Sequence, residues 1–198
     1  MQIFLVRHGI TEWNQKKKIQ GKMDVPLAPE GRKQAREAAS FFQDKKIKKT
    51  YTSDLSRARE TAQIITSPLG IEPVKLRGLR EIDMGNWEGL SWEEVGERFP
   101  GEQKAWIENP LKNGPGGGEN ISQAAERFRD TVYSISDSQT GHSPLLIVAH
   151  GLVIGTLVAW VQGKSPRFWR EFSPENATIT ELYRENNKMG LVTFNKPV

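Results

Sequence analysis

Residues 144–151 read Pro144-Leu145-Leu146-Ile147-Val148-Ala149-His150-Gly151, an unbroken apolar run that stops at a histidine and a glycine. A short, continuous, β-branched run of this kind is the pattern of a strand buried on both faces, and the residues after it, about 153–161, are apolar enough for a packed helix. The N-terminus holds a second copy of the arrangement: residues 3–6 form a β-branched and aromatic run, followed by Arg7, His8 and Gly9. Between the two, polar and Gly/Pro-punctuated stretches separate further periodic segments. Residues 30–44 place Ala35, Ala38, Ala39, Phe41 and Phe42 on a helical face; residues 50–52 read as a strand end; Ser53 can cap a helix running to Thr66 with Asp54 in its first turn. Residues 74–76 offer another strand. A helix starts at Asn120 or Ser122, and 178–183 with 191–194 read as a hairpin around Asn186-Asn187-Lys188.

Strands alternating with helices indicate an α/β fold, a three-layer α/β/α sandwich with a mostly parallel central sheet. One domain over residues 1–198 is expected, with 78–118 a short cap-like insertion over the site. That insertion is acidic and carries Trp87, Trp92 and Trp106. In such folds the ligand crevice lies beyond the carboxyl ends of the strands, where His8 and His150 both fall. His142, in a polar turn, is expected at the surface.

Composition narrows the classes. There is no cysteine, so disulfides, thiolate catalysis and cysteine-based zinc sites are excluded. The same absence fits a cytoplasmic location. The apolar run at the N-terminus is too short for a signal-peptide core, and no stretch approaches the roughly 20 apolar residues of a membrane helix. The net charge of +4 is mild. Lysines at 16–18 and 45–49 read as solvated charge and not as a nucleic-acid surface, so no nucleic acid and no membrane are expected as partners. A basic balance suits a small anionic substrate. The edge of the C-terminal hairpin can pair between two copies, which leaves a homodimer open.

The chemistry-bearing residues gather around the two strand ends. A neutral imidazole is a competent nucleophile toward phosphorus, Arg7 offers a planar fork of donors, and Gly9 lets the backbone approach a ligand closely. His8 and His150 can act as nucleophile and phosphate-oxygen donor, or as a metal pair, although no third ligand stands near either. Arg57 and Arg59 lie in the first turns of a helix after a strand, so one of them can face the crevice. Glu81, Asp83 and Glu88 are the acids available to protonate a leaving group, and spacing does not choose among them.

Taken together, these segments resemble the histidine phosphatase superfamily, in the branch related to cofactor-dependent phosphoglycerate mutase. The matching stretches are Leu5-Val6-Arg7-His8-Gly9-Ile10-Thr11-Glu12-Trp13-Asn14, Leu27-Ala28-Pro29-Glu30-Gly31, Ser53-Asp54-Leu55 through Thr61-Ala62, Glu81-Ile82-Asp83-Met84-Gly85 through Gly89, Gly118-Glu119-Asn120 and Val148-Ala149-His150-Gly151. The resemblance implies that His8 is phosphorylated, that Arg7, Arg57 and His150 bind the transferring phosphoryl group with Asn14 supporting them, and that Glu81 is the proton donor. It adds Gly151 and Gln20 as further contacts. It also implies no metal and no cofactor, because the cage supplies the positive charge. The chain departs from the mutases, which carry a longer, more basic insertion and usually Gly-Asn after the second histidine; here 91–118 is short and Gly151 is followed by Leu152. These departures favour a phosphomonoesterase acting on a small phosphorylated metabolite, with a bisphosphate-primed mutase as the alternative. Broad-specificity, α-ribazole and metal-independent phosphoserine phosphatases are the candidates within the branch. Trp87 and Trp106, with Trp92, would line an apolar wall or stack on a ring, unless they are core residues.

Overall fold

In a computed structural model of the chain, which describes residues 1–139, 141, 143–186 and 188–197, the run at 144–151 becomes a fully buried strand, Leu145–Ala149, at the middle of a six-stranded sheet. In chain order the strands are β1 (Gln2–Arg7), β2 (Lys49–Thr52), β3 (Val74–Lys75), β4 (Leu145–Ala149), β5 (Ile179–Glu185) and β6 (Lys188–Lys196), arranged spatially as β3-β2-β4-β1-β5-β6. The first four in that spatial order are mutually parallel. The last two, β5 and β6, run antiparallel and form the expected hairpin, with Glu185 facing Lys188 across its turn. Asn187 and His142 lie outside the described residues.

Both faces of β1 and β4 are covered, which explains why their sequences do not alternate with polar residues. Phe4, Val6, Leu146 and Val148 pack against Ala38 and Phe42 of α2 (Pro29–Phe42) and Ala58, Ala62 and Ile65 of α3 (Ser56–Thr66). Ile3, Leu5, Leu145 and Ile147 point the other way, toward Ala124, Phe128 and Val132 of α6 (Ile121–Asp137) and Val153, Ile154 and Leu157 of α7 (Gly151–Val161). The element numbering is completed by α1 (Glu12–Gln15), α4 (Trp92–Arg98) and α5 (Pro100–Glu108). The chain is thus a three-layer α/β/α sandwich. Residues of the 78–118 segment, among them Leu79, Ile82, Trp87, Val95 and Trp106, are buried in the α6–α7 layer's core. Among the described residues no helix is long and apolar enough to cross a membrane.

Two helix starts differ from the sequence reading. Ser53 does not cap α3. Its hydroxyl accepts from the Leu55 N–H in a turn ahead of the helix, and the first free helical N–H, that of Ser56, goes 2.6 Å to Asp24 from a distant loop. Asp54 lies outside the first turn, held by Arg80 at 2.6 and 2.7 Å. Helix α7 begins at Gly151, two residues earlier than expected, directly after an extended His150. Where two starts were open for α6, Asn120 is the cap, exchanging hydrogen bonds with Gln123.

Candidate active site

Strands β1 and β4 are hydrogen-bonded neighbours in register, Arg7 beside Ala149, so the residues that follow them emerge side by side. The His8 N–H donates to the Ala149 carbonyl at 3.0 Å, and the two imidazoles meet edge to face with centroids 5.2 Å apart. His8 is 3% exposed and His150 0%. Burial holds both imidazoles well below the usual histidine range, reinforced by Arg57 and Arg7 for His8 and by Arg57, His8 and Arg7 for His150, so both are neutral near pH 7.

The tautomer of His8 follows from one contact. Its Nδ1 lies 2.7 Å from the Gly9 carbonyl oxygen, which can only accept, so Nδ1 carries the proton and Nε2 the lone pair. The loop that holds this carbonyl is fixed by glycine packing. A Cβ on Gly9 would sit 2.3 Å from the Gly31 carbonyl oxygen at the start of α2, and the Gly9 N–H donates to Thr61 of α3. The close approach that Gly9 permits is therefore to the chain's own backbone and not, as its place in the sequence suggested, to a ligand.

Around the imidazoles the cleft encloses about 250 Å³, and its lining includes Arg7, His8, Asn14, Gln20, Arg57, Glu81 and Gly151. Arg7 donates Nη1 to the Pro174 carbonyl, and Arg57 donates Nη1 and Nη2 to the carbonyls of Met23 and Gly21. Among the described residues each guanidinium keeps a buried Nε without a partner, and both ring nitrogens of His150 are likewise buried without one. Burial lowers Arg57 to about 10, opposed by Glu81, which leaves it charged at neutral pH. Buried polar nitrogens with nothing to bond are costly; here two belong to arginines that line the cleft and the others to the imidazole packed against His8.

Geometry also separates the three acids. Glu81 lines the cleft, its carboxylate accepting from the first free N–H groups of α7, Leu152 at 3.1 Å and Val153 at 3.3 Å. Asp83 instead pairs with Lys22 at 2.6 Å, and Glu88 accepts from the Lys22 and Met84 N–H groups. Of the arginines on α3, Arg57 is fully buried and Arg59 half-buried away from the cleft lining. Asn14 sits at the rim with Oδ1 accepting from Thr11 and, at 3.4 Å, from Asn176; Gln20 accepts from the Thr11 hydroxyl at 3.0 Å.

The tryptophans divide. Trp87, expected as a wall, is a core residue. It is completely buried, its indole N–H donates to Glu102, and its ring packs edge-on against Trp92 and Trp106. Those two neighbours reach the cleft surface, with Ile82 and Met84 beside them. Missed entirely in the sequence was the segment 166–176. Trp169, Arg170 and Ser173 line the cleft, Pro174 holds Arg7, and Asn176 donates to the His8 carbonyl at 2.9 Å. Its density of aromatic and basic residues, Pro166-Arg167-Phe168-Trp169-Arg170-Glu171-Phe172, was the available signal. Among the described residues no group of three or more histidine, aspartate or glutamate side chains is placed to hold a metal ion.

A buried pair of strand-end histidines with two arginines and a carboxylate on a three-layer sheet defines a class that the comparisons then specify. The chain belongs to the histidine phosphatase superfamily, branch 1, whose family model matches residues 3–197. It is 34% identical over 186 residues to a probable phosphoglycerate mutase GpmB of Photorhabdus laumondii, covering 92% of this chain and 84% of that one. Among solved structures, a mycobacterial glucosyl-3-phosphoglycerate phosphatase in complex with VO3 superposes with a TM-score of 0.88 at 30% identity over 98% of both chains. An α-ribazole phosphatase of Shigella flexneri shares the fold with a TM-score of 0.92 at 23% identity, over 100% of this chain and 98% of that one.

Proposed function

We propose that the chain is a metal-independent phosphomonoesterase that acts on a small phosphorylated metabolite through a phosphohistidine on His8. The observation that carries this reading is the tautomer: with Nδ1–H committed to the Gly9 carbonyl, the free lone pair of His8 lies in a cleft lined by Arg7 and Arg57, each with an unsatisfied buried Nε, and beside the His150 ring.

In this reading Arg7, Arg57 and His150 donate hydrogen bonds to the phosphoryl oxygens, and their fixed positions stabilise the charge spread over three oxygens in the transition state. Asn14, Gln20 and Gly151 line the same space. His8 Nε2 attacks phosphorus and the ester P–O bond breaks, its electron pair going to the leaving oxygen. That oxygen takes the proton of Glu81 and departs as the alcohol. A water then enters, gives a proton back to Glu81 and attacks phosphorus. The P–N bond breaks, its pair returns to His8 Nε2, and inorganic phosphate leaves. The Nδ1–H bond to Gly9 stabilises the imidazolium character of the phosphorylated ring throughout.

A bisphosphate-primed mutase is the second reading. Two features favour it: the relative named as a probable mutase, and the cations Lys18 and Arg170, which line the cleft without an ion-pair partner among the described residues and suit a substrate carboxylate. One assay separates the two readings. Phosphate release is measured from an aryl phosphate, phosphoserine, α-ribazole phosphate and 3-phosphoglycerate, with and without chelator, for the wild type and His8→Ala. A hydrolase releases phosphate irrespective of chelator and loses it in the variant. Isomerised phosphoglycerate that depends on a bisphosphate primer, with little free phosphate, would establish the mutase instead.

A further inference from the structure

Arg57 is held at both Nη atoms by the carbonyls of Gly21 and Met23, so its aim into the cleft is set by the loop 20–23 and not only by α3. That loop is itself tied to the segment after Glu81. The Ile19 N–H donates to the Leu90 carbonyl at 2.9 Å and the Gly89 N–H to the Ile19 carbonyl at 2.8 Å. Between Gly21 and Met23, the Lys22 N–H donates 2.8 Å to Glu88 Oε1, and the same oxygen accepts the Met84 N–H at 3.1 Å. The fit is close: Gly21 has φ +51°, and a Cβ there would lie 2.1 Å from Glu88 Oε1. Glu88 does not line the cleft, yet it is half-buried, and burial raises its carboxyl above the usual range.

From these contacts we infer that Glu88 is a positioning residue for phosphoryl binding, acting through the 20–23 loop on Arg57. One carboxylate oxygen bridges two main-chain N–H groups, one at Met84, three residues after Glu81, and the other between the two carbonyls that grip Arg57. Removing it frees the Lys22 peptide, and the Gly21 and Met23 carbonyls lose the register that holds the guanidinium. The ion pair of Lys22 Nζ with Asp83 is a separate, exposed tether and is not needed for this role.

The inference rests on the reading of the cleft as a phosphoryl site, and the test keeps the two apart. Vanadate affinity is measured by calorimetry for the wild type, Glu88→Ala, Glu88→Gln, Gly21→Ala, Lys22→Ala, Arg57→Ala and the Glu88→Ala/Arg57→Ala double variant. Glu88→Ala should weaken vanadate roughly tenfold, the lower end of what a hydrogen bond to a charged group gives. Glu88→Gln keeps an Oε1 acceptor for both N–H groups and should bind nearly as the wild type does. Gly21→Ala, which pushes the carboxylate aside without removing it, should behave like Glu88→Ala, whereas Lys22→Ala should change nothing. In the Arg57→Ala background the Glu88→Ala effect should vanish, because nothing remains for it to position. The inference is overturned by an equal loss in both backgrounds, by a Glu88→Gln variant as weak as Glu88→Ala, or by a Gly21→Ala variant that binds normally. A wild type that binds no vanadate would remove the phosphoryl-site reading itself, and this inference with it.

Discussion

The two neutral histidines should make stability fall steeply on mild acidification, and the size of the fall can be worked out. In the unfolded chain each imidazole titrates near about 6.5. In the folded protein both are held well below that value by burial and by Arg57 and Arg7. Between those limits the unfolded state binds more protons than the folded one, so stability rises with pH, is fully present above about 6.5 and is lost as pH falls below it. At pH 5, about 1.5 units below the unfolded value, each histidine that stays neutral in the folded protein costs at most about 2 kcal/mol, which bounds the pair at about 4 kcal/mol. That is a large share of the roughly 5–15 kcal/mol typical of a folded domain. Asp54, lowered by its hydrogen bonds to Arg80, contributes in the same direction, but at more acid pH. Subtraction isolates the histidine part. Urea unfolding at pH 7 and pH 5 is compared for the wild type and His150→Gln, in buffer free of phosphate. The variant should lose up to about 2 kcal/mol less over that interval, whatever its stability at pH 7. Parallel pH dependence in the two proteins would mean that His150 is not held neutral, and the electrostatic account of the cleft would be wrong.

Other expectations follow from single contacts. Glu81→Gln should slow turnover of alkyl phosphates by about 10²–10⁴, and of aryl phosphates much less, since an aryl oxide needs little protonation; equal slowing would move the acid elsewhere. Ala in place of Lys18 or Arg170 should each raise KM for 3-phosphoglycerate roughly fivefold, the factor given by about 1 kcal/mol of exposed ion pairing, without changing KM for an aryl phosphomonoester that lacks a carboxylate. If both substrates respond alike, these cations do not read a carboxylate. Gly9→Ala forces a Cβ to within 2.3 Å of a main-chain oxygen that cannot swing aside, and should cost about 1–3 kcal/mol of stability by urea unfolding. An unchanged midpoint would mean that the α2 start gives way easily.

Much of this architecture was legible in the sequence because burial on both faces of β1 and β4 writes itself as unbroken apolar runs. Their ends then placed His8 and His150 without further information. Resemblance chose Glu81; in the structure Glu81 lines the cleft and Asp83 and Glu88 do not, both being tied to Lys22 across some 60 residues of chain by contacts that no local pattern encodes. The same limit explains the cap of α3. Ser53 falls two residues ahead of the Leu55 cap position, and Asp24, remote in sequence, supplies the acceptor. Trp87, read as wall or core, falls to the core because Glu102, 15 residues on, satisfies its N–H there. The 166–176 segment lacks helical or strand periodicity. Its aromatic and basic residues were the one signal on offer, while its hold on Arg7 and His8 runs through the Pro174 carbonyl and the Asn176 amide, which residue types do not announce.

The phosphohistidine itself is the most direct test of the whole account. Wild type, His8→Ala and His150→Gln are mixed with an aryl phosphate, quenched within a turnover into alkaline denaturant, digested and mapped by mass spectrometry. A phosphoryl group on the peptide containing His8, lost on acid treatment and absent from His8→Ala, is the predicted result. A phosphoryl group found on His150, or full-rate phosphate release from His8→Ala, would contradict it.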